Sequence, residues 1–394
     1  MIVKNLKIRQ IFATNSKRTI EVEIETVKGK VSASVPIGTS RGKHEVVYLP
    51  VDEVINKFNF IRENFINQEF KNQEDVDELI RTIDKTPELK EIGGNLALAI
   101  SSAFLKAFAL DEGLEVFEYL ANLTKNELKM PKPVCNVAGG WKESRSDIQE
   151  FLVLPVHQTS FFESISKISQ AYLDLGKVLK LVDPTFTYGR NWESGWVINL
   201  SFIEILNILK KIVNERLMRI GLDIAASQLW DGGQYYVYRY SNKILSKIEQ
   251  LKLIQDLVKE YPISYIEDPF MEDDFISFAM LTSMLPNKLI VADDLFATNL
   301  KRLKDGIDLK AANAMIVKPS QAGTMSDVIK VVKLAKENKI ITIFSHRSGE
   351  TEDNLIAHLA VGLGCDYVKF GISGERINKL NEMIRIEEKI LEKF

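Results

Sequence analysis

The chain has 394 residues, 45% hydrophobic and 27% charged, a balance that excludes a disordered, collagenous or coiled-coil protein. A single hydrophobic core stops growing near about 250 to 300 residues, so two domains, or one large barrel with an appendage, is the starting expectation. Lys and Arg number 51 against 54 acids, and a net charge of -3 offers no field for a nucleic-acid backbone.

In the first fifty residues Ile20, Val22 and Ile24 alternate with Glu21, Glu23 and Glu25. A Lys28-Gly29 turn follows, and Val31, Ala33 and Val35 resume the period of two. This predicts a half-exposed antiparallel meander. Helical spacing follows over 51–66, 74–84 and 94–111, with Gly113 placed as a C-cap, so an α+β domain is expected over 1–125.

From Pro131 onward, short apolar runs alternate with amphipathic segments. The strand candidates are 134–137, 150–156, 221–226, 263–268, 289–294, 314–318, 340–345 and 367–371, and helical patterns cover 160–178, 199–217, 246–260, 325–337 and 353–363. Near-continuous apolar strands covered by helices predict a parallel sheet closed as a (β/α)₈ barrel over 126–394. The first two strands lack a convincing helix between them. Cys135 and Cys365 lie in apolar strand-like runs and read as reduced core residues. The N-terminus is too short and too alternating for a signal segment and no run approaches a membrane span, so a cytoplasmic protein is expected.

Chemistry in such a barrel belongs to the C-terminal ends of its strands. Three successive runs end in acids, at Asp223, at Glu267-Asp268 and at Asp293-Asp294; the next ends in Lys318, and the last carries Lys369. One such acid can serve as a helix N-cap. Three converging carboxylates would repel one another unless a cation neutralised them, and an oxygen-only set selects a hard ion such as Mg²⁺. Lys318, facing that ion, would have a lowered pKa and could act as a general base. A metal with a basic lysine suits removal of a proton next to a carboxylate.

The run Ser345-His346-Arg347-Ser348-Gly349-Glu350-Thr351-Glu352-Asp353, with Ile266-Glu267-Asp268-Pro269-Phe270 and Val291-Ala292-Asp293-Asp294-Leu295, resembles enolase, the phosphopyruvate hydratase of glycolysis. Similar stretches extend over residues 19–390. A Lys or His base acting with Mg²⁺ is already known chemistry of that superfamily, so the mechanism follows from the likeness and is not deduced independently. The resemblance implies that Asp223, Glu267 and Asp293 ligate a first Mg²⁺ and that Ser40, in a glycine-flanked mobile loop, ligates a second once substrate is bound. It makes Lys318 the base at C2 of 2-phosphoglycerate, Glu193 the acid for the departing hydroxyl and Glu150 its partner carboxylate. Arg347 and Ser348 become phosphate contacts, Lys369 a contact of the substrate carboxylate, and His346 and Gln149 further substrate neighbours. A small phosphorylated carboxylic acid as substrate and a homodimer or higher homo-oligomer complete the expectation.

Several positions depart from the family pattern. Ala13 to Arg18 replaces the usual Asp-Ser-Arg-Gly-Asn-Pro, and Trp141-Lys142 stands where a small residue and a histidine are usual. Lys142 could still meet a phosphate. Trp192 and Trp196 flank the acid, and Phe370 follows Lys369. These substitutions predict a reshaped, more apolar pocket. They leave two alternatives: a relative acting on a different acid by the same metal-assisted proton abstraction, and a non-catalytic binding paralogue.

Overall fold

The computed structural model describes residues 1–38, 42–140 and 144–392. Strands β1 (Val3–Phe12), β2 (Arg18–Thr26) and β3 (Lys30–Ser34) form the expected antiparallel meander in the order β1-β2-β3. Ile20, Val22 and Ile24 are fully buried on one face, while Arg9 on the other pairs with Glu21 and Glu23. Helices α1 (Val51–Ile61), α2 (Gln73–Ile83), α3 (Gly94–Glu112) and α4 (Val116–Thr124) follow. The predicted 51–66 helix ends as α at Ile61 and continues as a 3₁₀ turn to Asn64. Helix α3 is apolar nearly all round because it lies between the meander and the barrel, and Gly113 caps it in the left-handed conformation, φ 69°.

The eight barrel strands are β4 (Lys132–Gly139), β5 (Glu150–Pro155), β6 (Met218–Asp223), β9 (Ile263–Glu267), β10 (Leu289–Ala292), β11 (Ala314–Val317), β12 (Ile341–Ser345) and β13 (Tyr367–Lys369). They close in the order β4-β5-β6-β9-β10-β11-β12-β13. A hairpin, β7 (Tyr235–Tyr238) with β8 (Lys243–Ser246), is inserted after β6. The fully parallel sheet is corrected at one strand: β5 runs antiparallel to both β4 and β6. A parallel connection needs about a dozen residues or more, and only 140–149 join β4 to β5.

Helices α5 (Phe161–Val182), α6 (Phe202–Asn214), α7 (Lys247–Glu260), α8 (Phe275–Met284), α9 (Leu300–Leu309), the single turn α10 (Pro319–Ala322), α11 (Met325–Glu337), α12 (Leu355–Gly362) and α13 (Ile377–Leu391) cover the outside. Among the described residues, α4, α8, α9, the short α10 and α13 are additions to the predicted set. Helix α8 (FISFAMLTSM) is apolar without helical spacing, and α9 carries Gly306, which packs against the Phe296 ring. Val134, Leu152, Leu154, Tyr265, Val291, Ala314, Ile316 and Ile343 fill the barrel interior. Both cysteines are free and buried. Among the described residues no helix is long and apolar enough to cross a membrane.

Candidate active site

The strand ends bring the predicted residues to one mouth. Asp223 and Glu267 end β6 and β9, Asp293 follows β10, Lys318 follows β11, and Lys369 ends β13. Glu150 opens β5, and because β5 is reversed its first residue faces the same mouth. The registers Gly139↔Glu150↔Asp223↔Glu267 run across four adjacent strands. One cavity at this mouth is lined by Gln149, Glu150, Glu193, Asp223, Asp293 and Lys318 together with His346, Arg347, Ser348 and Lys369. Glu267 does not line it and lies fully buried beneath. Ser40, Trp141 and Lys142 lie outside the described residues.

Acids and cations interleave at the cavity floor. The Lys369 Nζ is 2.9 Å from Asp223 Oδ2 and 2.8 Å from Glu267 Oε2, and also pairs with Glu150. Tyr265 donates to Glu267 at 2.5 Å. Burial, then the neighbouring Glu193, lifts the Glu150 carboxyl to about 8; burial likewise lifts Asp223 to about 7 and Glu267 to about 8. Carboxylate oxygens of Glu150, Asp223 and Glu267 come within 4.8 Å of one another, as do those of Asp268, Asp293 and Asp294. The predicted triad therefore straddles two acid groups.

Lys318 pairs with Asp293, whose other oxygen accepts from Gln321 at 3.1 Å. Burial disfavours the Lys318 ammonium, but Asp293 and then Glu267 act against it and together hold the group above its usual value while no metal lies between them. Arg347 is paired with Glu45 at 2.9 Å and lies 3.3 Å from Ser320 Oγ. Gly38 faces that guanidinium so closely that a Cβ would lie 1.9 Å from Nη2. His346 is buried, which together with Arg376, Lys369 and Lys318 keeps its ring neutral, and neither ring nitrogen has a hydrogen-bond partner among the described residues.

The expected apolar pocket is not what the described residues form. Trp196 turns away and stacks on Tyr172 with ring centroids 4.3 Å apart, Trp192 is 44% exposed, and Phe370 belongs to the core. None of the three lines the cavity. Glu45 and Gln321 were not singled out in the sequence, and Asp268 and Asp294 were noted only as strand-end acids without a role. Asp268 accepts from the backbone N–H groups of Asp293 (3.0 Å) and Asp294 (2.9 Å), so it shapes the loop that presents Asp293. Its signal was the doubled acid in Glu267-Asp268; Glu45 had none.

Residues 3–120 match the family model described as the enolase N-terminal domain, and residues 127–394 match the enolase C-terminal TIM barrel domain. The chain belongs to the enolase family. A protein named enolase from Methanothermobacter thermautotrophicus is 37% identical, the alignment covering 99% of this chain and 97% of that protein. Enolases from Archaeoglobus fulgidus (37% identical, 98% of each chain) and Picrophilus torridus (36%, 99% of each) are similar over the same extent. Enolases use Mg²⁺, and the acid groups here fit such an ion: their donors are all oxygens, and each group already surrounds or abuts a lysine ammonium, so the floor is built to hold positive charge.

Proposed function

We propose that this chain dehydrates 2-phosphoglycerate to phosphoenolpyruvate, reversibly and with Mg²⁺, as a glycolytic and gluconeogenic phosphopyruvate hydratase. The observation that carries this reading is the single cavity in which Lys318, Glu193, Glu150 and Lys369 meet the acid cluster and Arg347. Asp223, Glu267 and Asp293 would hold the first Mg²⁺ and Ser40 the second. Bound there, the ions would neutralise negative charge gathering on the substrate carboxylate.

The chain's own residues account for the rest. Arg347 offers a planar fork suited to a phosphate, and Ser348 and the open ring nitrogens of His346 lie beside it. Lys369 and Gln149 would meet the carboxylate end. With Asp293 engaged in holding Mg²⁺, Lys318 would lose its partner and release its extra proton to solvent; as the neutral amine it takes the proton from C2, and both electrons of the C–H bond pass into the carboxylate. Their return forms the C2–C3 double bond and expels the C3 hydroxyl, which leaves as water on receiving a proton from Glu193. Glu150, whose carboxyl burial and then Glu193 lift to about 8, stands behind that acid as its partner.

The polar lining favours neither a bulkier, more apolar acid nor a vacant binding paralogue. The substrate is a small molecule, and we assign the chain to the cytoplasm as a homodimer or larger homo-oligomer on the resemblance alone. The test is formation of phosphoenolpyruvate from 2-phosphoglycerate and Mg²⁺, followed by ultraviolet absorbance. Turnover that Lys318→Ala abolishes is expected; silence from both proteins would overturn the reading.

A further inference from the structure

Arg376 lies in the turn between β13 and α13, and its side chain is fully buried. Among the described residues no carboxylate lies within ion-pair distance of it. A buried cation without a counter-ion is unfavourable unless dipoles compensate it. Here they are main-chain carbonyls: Nη1 donates to Arg347 O at 2.8 Å, and Nη2 donates to Ser348 O at 2.8 Å and to Trp192 O. Two of these carbonyls belong to the loop that carries the phosphate contacts, and the third belongs to the loop that carries Glu193.

The rest of that turn is fitted to the same loop. Ser373 Oγ donates to Ser194 O at 2.9 Å, and Tyr172 donates to the same oxygen at 3.1 Å. Ser194 itself has φ 68°, a conformation that Asn191 supports by accepting from the Glu193 and Gly195 N–H groups. Gly371, with φ +74°, passes so near that a Cβ would lie 2.9 Å from Arg376 Cγ and 3.3 Å from Glu193 O. The chain between β13 and α13 therefore lies against both loops.

We propose that Arg376 is a positioning residue that sets the distance between the acid Glu193 and the phosphate-binding Arg347–Ser348 loop. A planar guanidinium spans three carbonyls at fixed angles; a lysine keeps the charge but not the fork, and a glutamine keeps two donors without the charge. The kinetic part of the idea rests on the function proposed above. The geometric part does not.

The experiment uses the full chain with Mg²⁺ as parent, Arg376→Lys and Arg376→Gln. In both variants, amide hydrogen exchange should accelerate together in residues 191–195 and 346–349, by roughly tenfold or more, while β10 and β11 keep their protection. With 2-phosphoglycerate, KM should rise and kcat fall, each by roughly tenfold or more. Exchange of the C2 hydrogen with solvent, which Lys318 carries without Glu193, should fall less than about threefold at saturating substrate. Loops that stay protected, or loosen separately, overturn the proposal, as do dehydration and C2 exchange falling by one common factor. Both variants failing to fold would assign Arg376 a purely structural role and also overturn it. A parent without turnover would sink the proposed function alone, because the amide exchange would still report on the clamp.

Discussion

Lys106 on α3 joins the N-terminal meander to the loop that presents Arg347. Its Nζ is 2.8 and 2.9 Å from the two Asp353 oxygens and 2.8 Å from Ser32 O, with both side chains largely buried. Asp353 also accepts from the Ser34 and Leu355 N–H groups, each at 2.9 Å. Removing one member of a buried pair costs about 3–5 kcal/mol because a charge is left uncompensated. The two remaining backbone donors reduce this, so Lys106→Met should lose about 2–4 kcal/mol in urea unfolding near neutral pH. In the parent, burial pushes the Asp353 carboxyl up, but Lys106 together with the Ser34 and Leu355 N–H groups more than offsets it and holds the group below its usual range. Its contribution is therefore present above the unfolded value near about 3.9 and is lost as pH falls through the lower folded value. Without Lys106 burial dominates, and the folded variant takes up a proton that the unfolded chain does not. Its deficit should thus shrink between about pH 7 and about pH 5. Adding Asp353→Asn should return about 1 kcal/mol or more at neutral pH. A deficit below about 1 kcal/mol, or one equal at both pH values, would refute the reasoning.

Four further outcomes can be checked. Glu193→Gln should slow dehydration by about 10²–10⁴-fold while leaving the unfolding midpoint nearly unchanged, which initial rates and a thermal melt together measure. Gly38→Ala should raise KM for 2-phosphoglycerate about tenfold with a smaller change in kcat, since the new methyl would displace a guanidinium that Glu45 and Ser320 hold; an unchanged KM counts against Arg347 as the phosphate contact. Cys365, its thiol pushed by burial up to about 12, and the fully buried Cys135, higher still, should resist an aromatic disulfide at about pH 8 until the chain unfolds. Chelation of Mg²⁺ should abolish turnover, and the ion at about a hundred times its Kd should add about 2.7 kcal/mol of stability.

The legible parts of this molecule were those that local chemistry states twice. Asp223, Glu267 and Asp293 each close an apolar run, so burial pattern and charge agreed on where the strand ends. The meander was equally plain, because Ile20, Val22 and Ile24 alternate with glutamates that the fold leaves on the outer face. The charge states were not legible. Lys318 reads from the chain as a base facing a metal, and nothing local announces that Asp293, 25 residues earlier, pairs with its ammonium in the fold. The tryptophans misled for a related reason: adjacency to Glu193 in sequence says nothing about direction, and Trp196 turns toward Tyr172 on α5. Helix α8 escaped because a segment apolar on every side has no period to detect.

The reversal of β5 is the more instructive case. In a strictly alternating barrel, a residue that opens a strand lies at the face opposite the chemistry, so the strand-end rule would have placed Glu150 at the bottom and away from Glu193. Only the resemblance put it in the site. Yet the physical signal was present in the chain, since residues 140–149 are too few to cross over between parallel neighbours. A connection that short turns the strand round, which brings Glu150 opposite Asp223 and within reach of Lys369. Connection length therefore carried the information that the missing helix only hinted at, and it assigns one of the site's carboxylates without any motif.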